Sequence, residues 1–393
     1  MTTAAGNTPA GLIDTAQAWQ STAAALAGAG RLAVDLEADG FHRYPERVCL
    51  IQVALDDDPV LLLDPLAIDD LGPLKEILGD PHRIKVFHAA DYDVRSMARD
   101  FGIRIKGLFD TAIAAQFLGA TRTGLANVLA RFQGVKLDKP KRLQRLDWSQ
   151  RPLPADAVAY AADDVAHLLP LADTLAAELQ ALGRREWVRE ECRRLELVRF
   201  APERAPDEAF LRVPGARSLS SASRAVLKEL CVFREREALR IGRPPHWVLP
   251  NRVLLALASD PDLPLEAAGA SRRWRGHAAG KLKAALRRGK EAPPEPWPRS
   301  RGRNPWTSAS RERLAALKSW RSKAATQLGL DPGLVWPMGH LKRMALEPDA
   351  GPRDLDTGEP PMVRAWQWRV LGDDLRSFHA QASGSRSPPG QPH

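Results

Sequence analysis

Across the first 200 residues the apolar positions alternate between short continuous runs and a helical period. Leu32–Leu36 (LAVDL), Val48–Leu55 (VCLIQVAL) and Val60–Asp64 (VLLLD) are rich in β-branched residues and parted by Gly, Pro, Asp and charged clusters, which predicts three successive strands. Ahead of them, after a loose N-terminal tail, Asp14–Ala29 is predicted as a helix with Asp14 at its N-cap. Behind them the pattern predicts a helix over Leu71–Leu78, a short strand over Lys85–His88, a helix over Asp91–Phe101 and an extended stretch over Ile103–Phe109. Helical periodicity returns at Thr111–Leu118 and Gly124–Phe132 and persists as one long helix from Ala155 to Leu182. A three-stranded start followed by alternating strands and helices implies a mixed-sheet α/β domain over residues 1–200, with helices on both faces.

Beyond residue 200 the pattern is helical only, and prolines cut it into pieces. Residues 201–217 contain three prolines and read as a linker. Ser220–Arg240, Asn251–Ala258 and Ala278–Arg288, interrupted by GRPPHW, form a small all-helical unit over 218–290. Residues 291–307, with five prolines, read as a second linker. Arg311–Leu328, Trp336–Ala345 and Pro361–Leu371 form another helical unit over 308–380, and 381–393 (ASGSRSPPGQPH at its end) is expected to be disordered. LKELCVFREREAL and LAALKSWRSKAATQL share a faint Leu-rich pattern with an aromatic before an Arg, which suggests a duplicated module.

Charge sharpens this division. Residues 1–180 hold 18 Lys and Arg against 24 Asp and Glu, and residues 181–393 hold 39 against 24, so the overall +9 is an acidic half of −6 joined to a basic half of +15. A basic half points to a polyanionic partner, and an acidic half is compatible with carboxylates that a cation balances. The three cysteines are odd in number and far apart, which excludes a disulfide framework and a CxxC metal site. With no apolar run of about 18 residues and no signal-peptide pattern, a soluble, cytoplasmic chain is expected.

The chemistry lies in acidic residues of three separate segments. Asp35 and Glu37 stand at i and i+2 in a strand (VDLE), so both side chains leave one face, about 7 Å apart along the chain. Asp93 falls in the first turn of a helix after a short apolar strand (FHAADYDV), and Tyr160 and Asp164 (YAADD) are one helical turn apart on one face. Like charges in apolar surroundings are costly unless a cation neutralises them. Carboxylates without Cys or His at ligand spacing favour Mg²⁺ or Mn²⁺ over zinc. Two such ions can stabilise the attacking and leaving oxygens of an in-line phosphoryl displacement, which makes phosphodiester hydrolysis the expected reaction.

Asp-x-Glu in a first strand, Asp after a strand–helix junction and Tyr-x-x-x-Asp in a late helix resemble the DEDD exonucleases of the tyrosine subclass. The resemblance is closer to the ribonuclease D family, through LAVDLEADGFHRYPERVCLIQVA, through VFHAADYDVRSM followed by LFDT, and through LDKPKRLQRLDWSQRPLPADAVAYAADDVAHLLPL. It covers about residues 1–195, and FREREALRIGRPPHWVLPNRVLLALA resembles the HRDC domain, the 308–380 copy more weakly. The resemblance implies a ribonuclease H-like exonuclease domain followed by two small HRDC-like helical domains. It also implies 3′-to-5′ exonuclease action on RNA, most plausibly the 3′ ends of tRNA precursors, with release of 5′-mononucleotides. Carried onto this sequence, the family's ligands for two Mg²⁺ (or Mn²⁺) ions per site are Asp35, Glu37, Asp93 and Asp164, and Tyr160 holds the nucleophilic water. The expected partner is RNA, with no membrane and a monomeric chain. The competing readings are a 3′-to-5′ DNA exonuclease and a non-catalytic HRDC-type nucleic-acid-binding adaptor.

Several neighbours compete with these assignments. Asp91 and Asp163 rival Asp93 and Asp164, but the HAAxxD pattern selects Asp93, and only Asp164 keeps the i+4 spacing from Tyr160. Asp110 reads as an N-cap, His88 as a structural histidine and Trp148 as a packing residue. Arg122, Arg131, Lys136, Lys139, Lys141, Arg142, Arg145 and Arg151 lie between the ligand segments, where a solvated face and contacts with substrate phosphates are equally open. In the basic half, Arg234, Arg236, Arg240, Arg243, Arg272, Arg273, Arg275, Lys281, Lys283, Arg287 and Arg288 are an electrostatic footprint without assigned contacts.

Overall fold

The computed structural model describes residues 11–56, 59–200, 206–271, 274, 276–298 and 305–384. Among them are six strands, β1 (Gly11–Ile13), β2 (Arg31–Ala38), β3 (Val48–Ala54), β4 (Leu61–Leu63), β5 (Ile84–Phe87) and β6 (Leu108–Asp110). They form one mixed sheet in the order β1-β4-β3-β2-β5-β6. β2, β3 and β4 pair antiparallel, as their short connections require, whereas β5 and β6 return parallel through helices. β3 is buried along its whole length, which is why its residues are apolar without alternation.

Among the described residues nine helices surround this sheet: α1 (Ala16–Gly28), α2 (Gly72–Gly79), α3 (Asp91–Phe101), α4 (Thr111–Phe117), α5 (Leu125–Gln133), α6 (Lys141–Gln144), α7 (Ala155–Ala166), α8 (Leu168–Ala181) and α9 (Arg185–Leu195). The expected mixed α/β architecture is therefore present, with four local corrections. Thr15 rather than Asp14 caps α1, its hydroxyl accepting from the Ala18 amide at 3.3 Å. The single helix expected over 155–182 is two, broken at His167, because the Pro170 ring has no N–H and would press on the Ala166 carbonyl if the helix continued. Of the stretch 103–109 only its end joins the ladder. Gly107 turns the chain into β6 at φ 66°, where any Cβ would collide with the Arg83 carbonyl. β1 and α9 had no counterpart in the reading of the sequence: β1 is three residues long, and α9 has few apolar residues to mark a period.

Beyond residue 200 there are eight α-helices among the described residues. They are α10 (Ser221–Ile241), α11 (Pro245–Val248), α12 (Asn251–Ser259), α13 (Gly276–Glu291), α14 (Ser308–Leu328), α15 (Pro332–Val335), α16 (Met338–Leu346) and α17 (Ala365–Gly384). α10–α12 and α14–α16 have the same lengths and recur 87 residues apart. Each long helix opens on a hydroxyl cap, Ser220 or Thr307, and ends on a left-handed glycine, Gly242 or Gly329. The faint repeat is a duplication at the level of structure.

The described part of the expected 201–217 linker instead forms two 3₁₀ segments, Pro206–Arg212 and Ala216–Ser218. Phe210 and Ala216 within them, and Val213 between them, are buried against α10 and α12. Part of the second linker is also packed, since the Glu295 amide donates to the Ser221 carbonyl and its carboxylate pairs with Lys228. Residues 201–205 and 299–304 lie outside the described residues, as do Arg272, Arg273 and Arg275. Of the tail expected to be disordered, 381–384 continue α17 and the rest lies outside the described residues.

Candidate active site

Asp35 and Glu37 point from one face of β2 onto α7, whose first turn follows the Pro154 cap and whose inner face carries Tyr160 and Asp164, both buried. Asp93 enters from α3 and is 5% exposed, while its rival Asp91 is turned outward into an i,i+4 pair with Arg95. The turn that delivers Asp93 is held from below by Asp110. One carboxylate oxygen accepts from Ala89 and the other from Ala90, at 3.1 and 2.8 Å, and Asp110 also caps α4 by accepting from Ala112 and Ile113. Ala89 sits there at φ 61°, the one non-glycine residue with positive φ among the described residues, a conformation an alanine holds only when its surroundings impose it. Asp110 is thus the expected N-cap and also an anchor of the Asp93 turn, a role that only the fold reveals.

All five expected residues feel one another electrostatically. Burial and then Asp164 push Asp35 up to about 7, and burial, Asp35 and Asp164 push Glu37 up to about 9. Burial and then Asp35 hold Asp93 well above the carboxylate range, and burial raises Asp164 against the opposing effect of Lys139. The Tyr160 phenol, in hydrogen-bonding contact with Asp164, is pushed far up by burial and the surrounding carboxylates, so it keeps its proton and donates. These are the signs of negative charges crowded into a space with too little positive charge. Among the described residues no three Asp, Glu, His or Cys side chains are arranged to hold a metal ion as they stand, so the carboxylates share a field without being closed to ligand distance.

Among the described residues the cation that acts on this field is Lys139. Its Nζ bonds Asp164 and lies 5.0 Å from the centre of the Tyr160 ring. It lowers Asp35, Glu37 and Asp163 as well, taking the place of a counter-ion at the centre of the cluster. A cleft of about 380 Å³ opens over this group, lined by Asp35, His88, Lys139, Tyr160, Asp164 and the first turn of α5. His88 Nδ1 meets the Thr111 hydroxyl at 2.8 Å, as suits a structural histidine, and the ring lines the cleft. Trp148 is packed, 1% exposed and 6.2 Å from Tyr160. Of the other basic residues between the ligand segments, Arg151 is committed to Asp64 and to the Cys49 carbonyl, Arg131 to the carbonyls of Leu118 and Gly119, and Arg142 to Asp156. Arg151, paired with the buried Asp64, is thereby removed from the set available to substrate phosphates, whereas the Arg142 pair is exposed.

A mixed sheet of this order with an acidic cleft at the end of β2 defines a class, and a family model described as 3′-5′ exonuclease matches residues 11–180. Ribonuclease D of Gluconacetobacter diazotrophicus is 32% identical over 351 residues, 87% of this chain and 86% of its own length. That of Pseudomonas paraeruginosa is 37% identical over 227 residues, 58% of this chain and 59% of its own. The crystal structure of Escherichia coli RNase D matches with a TM-score of 0.70 at 26% identity, covering 95% of this chain and 98% of that one. The chain belongs to the ribonuclease D family. It is a 3′-5′ exoribonuclease with a ribonuclease H-like catalytic domain. No helix among the described residues is long and apolar enough to cross a membrane.

Proposed function

We propose that this enzyme trims the 3′ ends of structured RNA, tRNA precursors foremost, by two-metal hydrolysis at Asp35, Glu37, Asp93 and Asp164 with Tyr160. The observation that carries this reading is the crowding of four carboxylates with raised proton affinity around a protonated phenol, with Asp35, Asp164 and that phenol lining one cleft. That donor set fits hard divalent cations, since it offers oxygen ligands and a charge deficit that Lys139 only partly fills. Bound Mg²⁺ or Mn²⁺ would supply charge neutralisation at the phosphate and a water of lowered pKa. The chain's own part is positional. β2 presents Asp35 and Glu37 side by side, the Asp110-braced turn presents Asp93, and α7 sets Asp164 one turn from a Tyr160 hydroxyl able to orient a water by hydrogen bond. Lys139, displaced from Asp164 by a cation, would be within reach of a phosphate oxygen.

Support for structured RNA comes from the E. coli relative, described as an exoribonuclease involved in structured RNA processing. Support for a holding role of the two helical units, read as HRDC-like domains, comes from the +15 charge of the half that contains them. The test is digestion of a 3′-extended tRNA with Mg²⁺ or Mn²⁺, read at nucleotide resolution beside a matched DNA strand. Asp35→Asn and Asp164→Asn are each expected to slow release of 5′-mononucleotides by about a thousandfold or more, in the range of losing a major electrostatic contribution. Full activity in either variant would refute the site, and equal rates on RNA and DNA would refute the substrate.

A further inference from the structure

A second cleft, of about 440 Å³, lies on the same face of the sheet as the carboxylates but beyond the other end of β2. Arg31 lines it, four residues before Asp35 and on the same side of the strand, so the two positions are roughly 13 Å apart. The floor is apolar: Ile84, 48% exposed, and half-buried Phe109, with buried Val86 between them and the small Ala172 and Ala176 of α8 above. The wall is a row of arginines, Arg185, Arg189 and Arg193, at i, i+4 and i+8 along one face of α9 and spanning about 12 Å.

The carboxylates around this cleft are already engaged. Asp56 and Asp173 both bind Arg31, Glu196 accepts from the Leu108 amide and pairs with Lys106, and Glu186 pairs with Arg189. Among the described residues neither Arg185 nor Arg193 has an ion-pair partner, and both are exposed. The opposite face of α9 is spent on packing, through Trp187, Glu190 and Glu191. Two uncompensated guanidiniums along an apolar trough call for a ligand that is anionic at intervals and flat between them, and guanidiniums are well suited to phosphates.

The geometry points to a second RNA-binding site: the α9 arginines grip the phosphodiester backbone of an RNA strand, one of whose bases lies on Ile84 and Phe109. A free mononucleotide would meet only part of a 12 Å row, which is why a strand is the better occupant. This rests on the proposal that the enzyme's substrate is RNA with a body beyond its 3′ end. It adds a holding surface on the catalytic domain itself, separate from the two helical units.

The experiment is fluorescence anisotropy of the full chain in EDTA with a labelled 3′-extended hairpin RNA, across a salt series. Arg185→Glu/Arg193→Glu should raise Kd about tenfold or more and reduce the slope of log Kd against log salt by roughly 1 to 2. Arg185→Lys/Arg193→Lys should restore much of the affinity. With metal present, cleavage of a dinucleotide, too short to reach α9 from the cleavage site, should be unchanged in both variants. Unaltered RNA affinity in the glutamate variant would overturn the site while leaving the enzyme's function intact. So would AMP protecting the wild type but not that variant against thermal unfolding, because the occupant would then be a mononucleotide. No RNA binding by the wild-type chain would instead refute the substrate reading on which the site depends.

Discussion

The two helical units share helix lengths, caps and an 87-residue offset, yet they relate to the catalytic domain in different ways. In the first, Leu230, Phe233, Leu254 and Leu257 build a core of its own, against which Tyr44 packs from the catalytic domain. The equivalent positions in the second, Leu317, Trp320, Leu341 and Met344, belong to the same continuous core as the sheet. One helix makes the difference. α17 brings Trp366 to stack on Trp187 at 4.4 Å and to meet Phe117 edge-on at 5.5 Å, while Arg364 pairs with Glu191 and Glu190 accepts from the first amides of α17. The residue 87 positions earlier is Ala279, and α13 has nothing comparable to dock with. The first unit instead reaches the loop that follows Glu37: Tyr44 hydroxyl bonds Glu235, Arg243 donates to the His42 carbonyl, and Trp247 lies 6.3 Å from His42. Identical scaffolds can therefore serve as part of a catalytic core or as an appendage beside the cleft, depending on a few large side chains.

The sharpest way to break this contrast is to remove one tryptophan from each. Trp366→Ala is expected to cost about 3–5 kcal/mol and to lower the main unfolding transition of the catalytic domain. Trp274→Ala, equally buried in the first unit, should destabilise that unit alone and leave the catalytic transition in place. A single shared transition in calorimetry of both variants would contradict the separation. Next in size, Glu191→Ala leaves the Arg364 guanidinium unpaired at a largely buried junction and should cost about 2 kcal/mol, again on the catalytic transition.

Proton affinity separates the regions further. Asp35 and Glu37 keep protons to about 7 and 9 in the folded chain, whereas the unfolded chain releases them near 4. Because the unfolded state binds fewer protons over that interval, metal-free stability should fall as pH rises from about 5 to 9. Divalent cations, by favouring the ionised carboxylates, should reverse the fall. Melting curves in EDTA and in Mg²⁺ across that range check this, and a catalytic transition that is flat or rising in EDTA would contradict it. The first unit's transition should stay level. The smallest effect expected is that of Tyr44→Phe, worth about 1 kcal/mol at the contact with Glu235, visible as a rise in KM on long RNA with kcat on a dinucleotide unchanged.

Much of the site was legible because its residues lie in strongly patterned segments. VDLE in a strand and Tyr-x-x-x-Asp in a helix each declare a face by period alone, whereas HAAxxD at the strand–helix junction is singled out by the family resemblance. Asp93 over Asp91 was also readable, and the structure shows why it matters, one carboxylate being buried and the other turned out to Arg95. What was not legible is pairwise and distant. Lys139 stood among eight basic residues of one segment with nothing to distinguish it, and only the fold brings its ammonium to Asp164 while committing Arg131, Arg142 and Arg151 elsewhere. The 87-residue repeat was present in G-x-x-P-x-x-V-x-P at 242–250 and 329–337, a signal that turn residues carry more clearly than the helices that were compared.

By itself the sequence determined the mixed α/β domain and its helical extensions, since period, turn residues and i,i+4 spacing are local and survive without knowledge of neighbours, and the family resemblance singled out the candidate carboxylates. Which helical unit joins the catalytic core, which cation balances the carboxylates and that Arg185 and Arg193 stand without an ion pair among the described residues were decided only by tertiary structure. Each depends on groups brought together from distant parts of the chain, and burial and charge compensation are properties of that assembly rather than of any segment within it.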